Sequence, residues 1–209
     1  AGYVIASVEY RYSEEAGFPA QIQDARTAIR YVKAHAEELG VDPERIAIMG
    51  DSSGGHTALM AGLAYGDMFD TPDYGGYTAD VSCIIDFYGP TDMSKMFQAE
   101  EQSGSIPQEV RKELLLFEKA ETYEALREQA QLANPLNYIL PDRAIPPVFI
   151  LHGDEDPVVP FSQSVILYEK LRACRKKVEF YNVAGAGHAV GIWIPDIDEV
   201  VLRFLRAHL

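Results

Sequence analysis

The sequence predicts an α/β protein: a mostly parallel β-sheet covered by helices on both faces. Two observations carry this. Short apolar runs bounded by turn residues alternate along the whole chain with stretches of helical periodicity, which is the pattern of buried parallel strands and their crossover helices. The chain also has 209 residues, 47% of them hydrophobic, enough for one domain with a sizeable core and too few for two of ordinary size.

The expected strands are residues 3–9, 45–50, 81–88, 146–152 and 177–183, and the expected helices are 20–38, 53–64, 161–174 and 196–208. The opening run, Ala1-Gly2-Tyr3-Val4-Ile5-Ala6-Ser7-Val8, has neither a basic leader nor a cleavage site and reads as a buried strand. In the first helix Ile22, Ala25, Ile29, Val32 and Ala36 recur at three- and four-residue spacing, and Gly40 before Asp42-Pro43 is its stop signal. Residues 93–140 break the pattern with acidic, Gln-rich helical stretches at 108–118 and 121–131. This segment is expected to be a helical lid inserted into a single domain spanning 1–209.

Composition excludes several functions. A formal net charge of −14 repels phosphate backbones and anionic lipid, so neither nucleic acid nor a membrane is an expected partner. No apolar run approaches the roughly 18 residues that a membrane-spanning helix needs. A soluble protein is expected, with a cytoplasmic location slightly favoured. The two cysteines, Cys83 and Cys174, have no spacing that suits a disulfide framework or a metal site and read as packing residues.

One motif carries chemistry. The apolar strand ending at Met49 runs into Gly50-Asp51-Ser52-Ser53-Gly54-Gly55-His56, and a helical stretch starts at once behind it. A strand, a sharp turn and a helix around Gly-x-Ser-x-Gly form a nucleophile elbow, in which the serine hydroxyl stands exposed at the tip of a strained turn. The flanking Gly50 and Gly54 are expected to leave room for the crossing. No Gly-Lys-Ser/Thr follows, which excludes a phosphate-binding loop of that type.

A serine needs a base to take its proton and a carboxylate to orient that base, in chain order Ser, Asp, His for this elbow. His188, in the glycine-rich loop Gly185-Ala186-Gly187-His188 behind the last strand, is the expected base. The acid lies in Asp154-Glu155-Asp156 after the strand ending at His152, and Asp156 is favoured over Asp154 and Glu155. Asp86 is an alternative acid, though its place in Ile84-Ile85-Asp86-Phe87 better suits a hydrogen-bonded strand-end residue. His35 and His208 read as solvated helix residues, His152 as a strand-end residue and His56 as part of the helix behind the elbow, all four compatible with structural roles. No metal or organic cofactor is expected, because this chemistry needs none.

These residues resemble the carboxylesterase branch of the α/β-hydrolases, and most closely the bacterial bifunctional feruloyl and acetyl-xylan esterases. The resemblance runs nearly end to end. It rests on Glu9-Tyr10-Arg11-Tyr12, Phe18-Pro19-Ala20 with Asp24, the elbow, Phe87-Tyr88-Gly89-Pro90-Thr91-Asp92, His152-Gly153 with Asp156 and Val159-Pro160, and the loop to His188. It implies that Ser52 is the nucleophile, Asp156 the orienting acid, His188 the base and the Ser53 N–H an oxyanion donor. Arg11 and Asp24 are implied to be scaffold residues. The implied activity is hydrolysis of short-chain acyl esters, acetyl or feruloyl, of carbohydrates or small molecules.

The family also carries an upstream His-Gly-Gly-Gly segment that supplies the other oxyanion donors, and this chain begins after it. An N-terminally truncated α/β-hydrolase with impaired turnover is therefore expected. Residues 3–9 and 45–50 would be the family's fourth and fifth strands, between which its third strand lies. The gap would be closed by an upstream segment, by residues 3–9 sliding against 45–50, or by a strand from another chain, with a homodimer compatible with the last. Two other functions fit the motifs: a prolyl-oligopeptidase-like peptidase, and an impaired hydrolase fold that only binds a ligand or a partner.

Overall fold

The structure is a computed structural model and describes residues 2–96 and 123–209. Among these residues four strands, β1 (Ala47–Asp51), β2 (Cys83–Phe87), β3 (Val148–Gly153) and β4 (Val178–Val183), form one sheet in the order β1-β2-β3-β4. All three pairings are parallel, with Met49 opposite Ile85, Phe149 opposite both Ile85 and Glu179, and His152 opposite Asn182. Around the sheet lie α1 (Ala20–Ala34), α2 (Ala36–Leu39), α3 (Ser53–Leu63), α4 (Tyr123–Leu132), α5 (Ser162–Ala173) and α6 (Pro195–His208). A short 3₁₀ turn covers Pro135–Tyr138.

The pleat sorts the strand residues between two cores, because successive side chains point to opposite faces. Ile84, Val148 and Ile150 pack with Ile22 of α1, Leu59 and Leu63 of α3, and Leu167 and Leu171 of α5. Cys83, Ile85, Phe87, Phe149 and Leu151 pack on the other face with Ile197, Val201 and Phe204 of α6. β2 and β3 are buried at every position, as strands covered on both sides should be. Both cysteines are free and buried, and burial pushes the Cys83 thiol up to about 12. Among the described residues no helix is long and apolar enough to cross a membrane.

Four of the five expected strands and all four expected helices are present, with ends shifted by a few residues. The first helix is split at His35 into α1 and α2. It ends as expected at Gly40, whose φ of 65° lets Val41 N donate to Ala36 O at 2.9 Å, the usual left-handed helix stop.

Residues 3–9 are a correction. They form no strand, and Val4 and Ile5 are 64% and 89% exposed. A strand persists only when its backbone groups and one face find partners, and no described strand lies beside this segment. The outer edge of β1 is likewise unpaired among the described residues, so closure of the sheet by residues 3–9 sliding against β1 does not occur. The segment is instead tied down at its C-terminal end: Arg11 Nη2 and Nε grip the Asp24 carboxylate of α1 at 2.7 and 2.9 Å, and Arg11 N adds a third bond.

Of the expected lid, the stretch read as 121–131 is α4, whereas the helix expected over 108–118 lies outside the described residues.

On the α1 side the guanidinium groups of Arg26 and Arg30, each only 2% exposed, close on Asp70 at 2.5 and 3.5 Å. Arg26 also donates to the carbonyls of Ala61 and Gly66, and Arg30 to that of Thr71, fastening α1 to α3 and the chain after it. Removing one partner of a buried ion pair leaves the other charge uncompensated. Asp70→Ala is expected to destabilise the protein by about 3 kcal/mol, measured by urea unfolding.

Candidate active site

β1 delivers the chain to the elbow at full extension, and α3 starts one residue after Ser52. The reversal concentrates strain on Ser52, whose φ of 52° and ψ of −122° are sparsely populated for any residue with a side chain. Two backbone bonds hold it: Ser52 N–H donates to Phe87 O of β2 at 2.9 Å, and His56 N–H donates to Ser52 O at 3.1 Å. The turn is so tight that a Cβ on Gly50 would sit 2.1 Å from the Gly54 carbonyl oxygen. Among the described residues an added Cβ at Gly54 would meet only the Tyr10 hydroxyl, at 3.9 Å. Only the first glycine is thus required for the crossing, which narrows the expectation for the pair.

The loops behind β3 and β4 bring the other two expected residues to the elbow. Ser52 Oγ lies 3.0 Å from His188 Nε2, and His188 Nδ1 lies 2.7 Å from Asp156 Oδ2. The Asp156 side chain is fully buried and that of His188 is 19% exposed. Asp156 Oδ1 accepts the backbone N–H groups of Val158 and Val159 at 2.8 and 2.9 Å. Ser53 is the first residue of α3, so its N–H has no acceptor within the helix and stands beside the serine.

The other acidic candidates are engaged elsewhere. Asp154 accepts Asn182 Nδ2 and Gly185 N, donors that hold its carboxyl below the usual range, and it faces solvent. Glu155 is exposed as well. Asp86 is wholly buried beneath α3, with Oδ1 accepting Gly89 N at 3.0 Å and Oδ2 unpartnered among the described residues. Burial pushes it up to about 8, against the single bond from Gly89. His35 and His208 are partly exposed, and their rings pack on Tyr31 and Phe204.

Sequence reasoning did not single out Tyr10 or Tyr88, and it placed His56 on the helix behind the elbow and His152 at the strand end without giving either a partner. Tyr88, at a φ of 44°, presents its ring edge-on to His188 with centroids 4.9 Å apart, and its hydroxyl donates to Asp51 Oδ2 at 3.2 Å. Burial and the neighbouring Asp51 push the phenol up, so it stays a neutral donor. Tyr10 places its hydroxyl 3.3 Å from Ser53 Oγ. His56 is buried behind the elbow and bonds Ala133 O at 2.7 Å, tying α3 to the chain that follows α4. His152 joins Asp156 from β3 at 3.2 Å. Tyr10, Tyr88 and His152 lie inside the segments that carry the family resemblance, which was the available signal.

A parallel sheet with helices on both faces, and a serine on a strained turn between strand and helix with a histidine and an aspartate behind it, define the α/β-hydrolase fold. The chain belongs to the BD-FAE family, whose family model matches residues 1–171. Among solved structures it is similar to a truncated form of a carbohydrate esterase from gut microbiota, with a TM-score of 0.82 and 31% identity over 97% of this chain and 73% of that one. It is also similar to a bifunctional GH43-CE protein of Bacteroides eggerthii, with a TM-score of 0.79 and 30% identity over 95% of this chain and 28% of that one. Among curated proteins it is 31% identical over 183 residues to the probable carboxylic ester hydrolase LipM of Mycobacterium tuberculosis. That match covers 86% of this chain and 40% of LipM, so the chain spans less than half of that relative's length.

Two predictions separate structural from chemical roles here. Gly50→Ala is expected to destabilise the protein by more than about 4 kcal/mol, because backbone, not a side-chain end, blocks the new methyl. Gly54→Ala is expected to leave the urea midpoint nearly unchanged. The second concerns Asp86, whose proton leaves the unfolded chain at about 4 and the folded protein at about 8. The native state therefore holds more protons across that window, and stability falls as pH rises through it. Asp86→Asn is expected to abolish this decline, which urea midpoints at about pH 5 and pH 8.5 will show.

Proposed function

We propose that this chain carries the catalytic core of a serine esterase. The observation that supports it best is the continuous Ser52–His188–Asp156 line, 3.0 and 2.7 Å long, at the tip of a strained elbow. Ser52 Oγ attacks the ester carbonyl carbon while its proton passes to His188 Nε2. His188 Nδ1–H stays bonded to Asp156, which stabilises the imidazolium that forms. The carbonyl oxygen becomes an oxyanion facing the Ser53 N–H. His188 then gives its proton to the departing alcohol oxygen, leaving an acyl group on Ser52. Water, deprotonated by His188, attacks that acyl carbon and releases the acid and the free serine.

The substrate class proposed is short-chain acyl esters, acetyl or feruloyl, of carbohydrates or small molecules. A carbohydrate esterase among the similar structures and an ester hydrolase among the similar proteins support it. The charge of −14 agrees with neutral substrates over anionic ones.

The test is hydrolysis of p-nitrophenyl acetate and of a proline-linked peptide amide by the wild type and by Ser52→Ala and His188→Ala. Ester turnover is expected to exceed amide turnover, and each substitution is expected to lower it by about 1,000-fold or more. Ester hydrolysis that survives Ser52→Ala would overturn the mechanism. Faster cleavage of the amide would favour a peptidase.

A further inference from the structure

The bonds around Asp156 include a second histidine that the Ser52–His188–Asp156 mechanism does not use. His152 is the fifth residue of β3, fully buried in a strand paired on both sides, whereas Asp156 stands on the loop beyond it. Its Nε2 is 3.2 Å from Asp156 Oδ2, the same oxygen that His188 contacts, and 3.0 Å from the carbonyl oxygen of Val159. Both neighbours are acceptors, so Nε2 carries a proton and its N–H forks between them. On the other side of the ring, Nδ1 lies 2.7 Å from the buried hydroxyl of Ser164 on α5. Burial holds the ring below the usual histidine range, so it is neutral and Nδ1 accepts the Ser164 proton.

These contacts close a ring of hydrogen bonds. His152 donates to Val159 O, Val159 N–H donates to Asp156 Oδ1, and Asp156 Oδ2 returns to His152. The turn from 156 to 159 is thereby wrapped around a side chain that belongs to the sheet. An apolar ring of the same shape would fill the space without the desolvation that burying a polar ring costs. It would not aim the carboxylate.

We propose that His152 is a positioning residue, which locks the Asp156 carboxylate to the end of β3 so that Oδ2 faces His188 Nδ1. The role in turnover rests on the esterase reading above; the role in geometry does not. Misplacing a catalytic group by about 1 Å can lower the rate by about 100-fold.

The experiment compares His152→Phe, which keeps a ring and removes both nitrogens, with His152→Gln, whose amide can donate to the same oxygens. Two readouts are taken on the full chain. In proton NMR the His188 Nδ1–H resonance is expected to be present in the wild type and in His152→Gln, and lost to exchange broadening in His152→Phe. In ester hydrolysis His152→Phe is expected to lose about 10- to 100-fold in kcat with KM changed less than about two-fold, and His152→Gln to recover most of the loss. If His152→Phe does not fold, Ser164→Ala, which frees the other edge of the ring, is expected to lose kcat in the same direction by a smaller factor. An unchanged His188 resonance in His152→Phe, or equal losses in the Phe and Gln variants, would overturn the proposal. Failure of the esterase reading shows separately, as turnover that survives Ser52→Ala while the resonance still responds to His152.

Discussion

The close crossing of β1 and α3 at Ser52 is the constraint from which the rest of the site follows. A parallel strand rises toward the end of the sheet where its loops gather, and the helix must turn back at once to cover the neighbouring strand. Gly50 and the backbone of Gly54 then approach so closely that no side chain fits between them. The strain this places on Ser52 is balanced by ordinary bonds to β2 and α3, and its result is a hydroxyl held above the sheet edge, away from either core.

Register carries the same precision to the partners. Because β1, β2, β3 and β4 are all parallel, their following loops open at one end of the sheet, and the residues that leave them meet there. Ser52 follows β1, Tyr88 follows β2, Asp156 follows β3 and His188 follows β4. The two apolar cores on either face brace the sheet, since the apolar side chains of β2 and β3 pack against helices from the α3 side or from α6. The geometry of the line from Ser52 to Asp156 is thus a property of strand order before it is a property of any loop.

Much of this was legible in the sequence, for identifiable reasons. Buried parallel strands leave uninterrupted apolar runs, and α1, α3, α5 and α6 leave periodic ones, so these elements could be read directly. Ser52, His188 and Asp156 could be placed because each lies at a fixed point relative to a strand end. Residues 3–9 misled, since an apolar β-prone run describes what a strand would bury and not whether a neighbour is there to pair with it. His56 and His152 could be assigned to their helix and strand but not to their partners: a histidine buried among acceptors and one in solvent look alike until burial and tautomer are known. The distinct fates of Asp154 and Asp156, two residues apart, also depend on a turn that no periodicity encodes.

The buried carboxyls of Asp86 and Asp156 show what the site selects for. Both side chains are fully covered, so burial alone does not distinguish them. Among the described residues Asp86 receives one backbone N–H and leaves Oδ2 without a partner, the situation of a carboxyl that holds its proton and serves the packing of α3. Asp156 receives two backbone N–H groups on one oxygen and two imidazoles on the other, using its acceptor capacity on both sides. Donor number, set by the tight turn after β3 and by a histidine in the strand itself, is what separates a structural carboxyl from one that can steady a charged base. The same comparison explains why the carboxylate that meets His188 sits in a turn rich in free N–H groups and not in the middle of a strand, where the ladder has already claimed them.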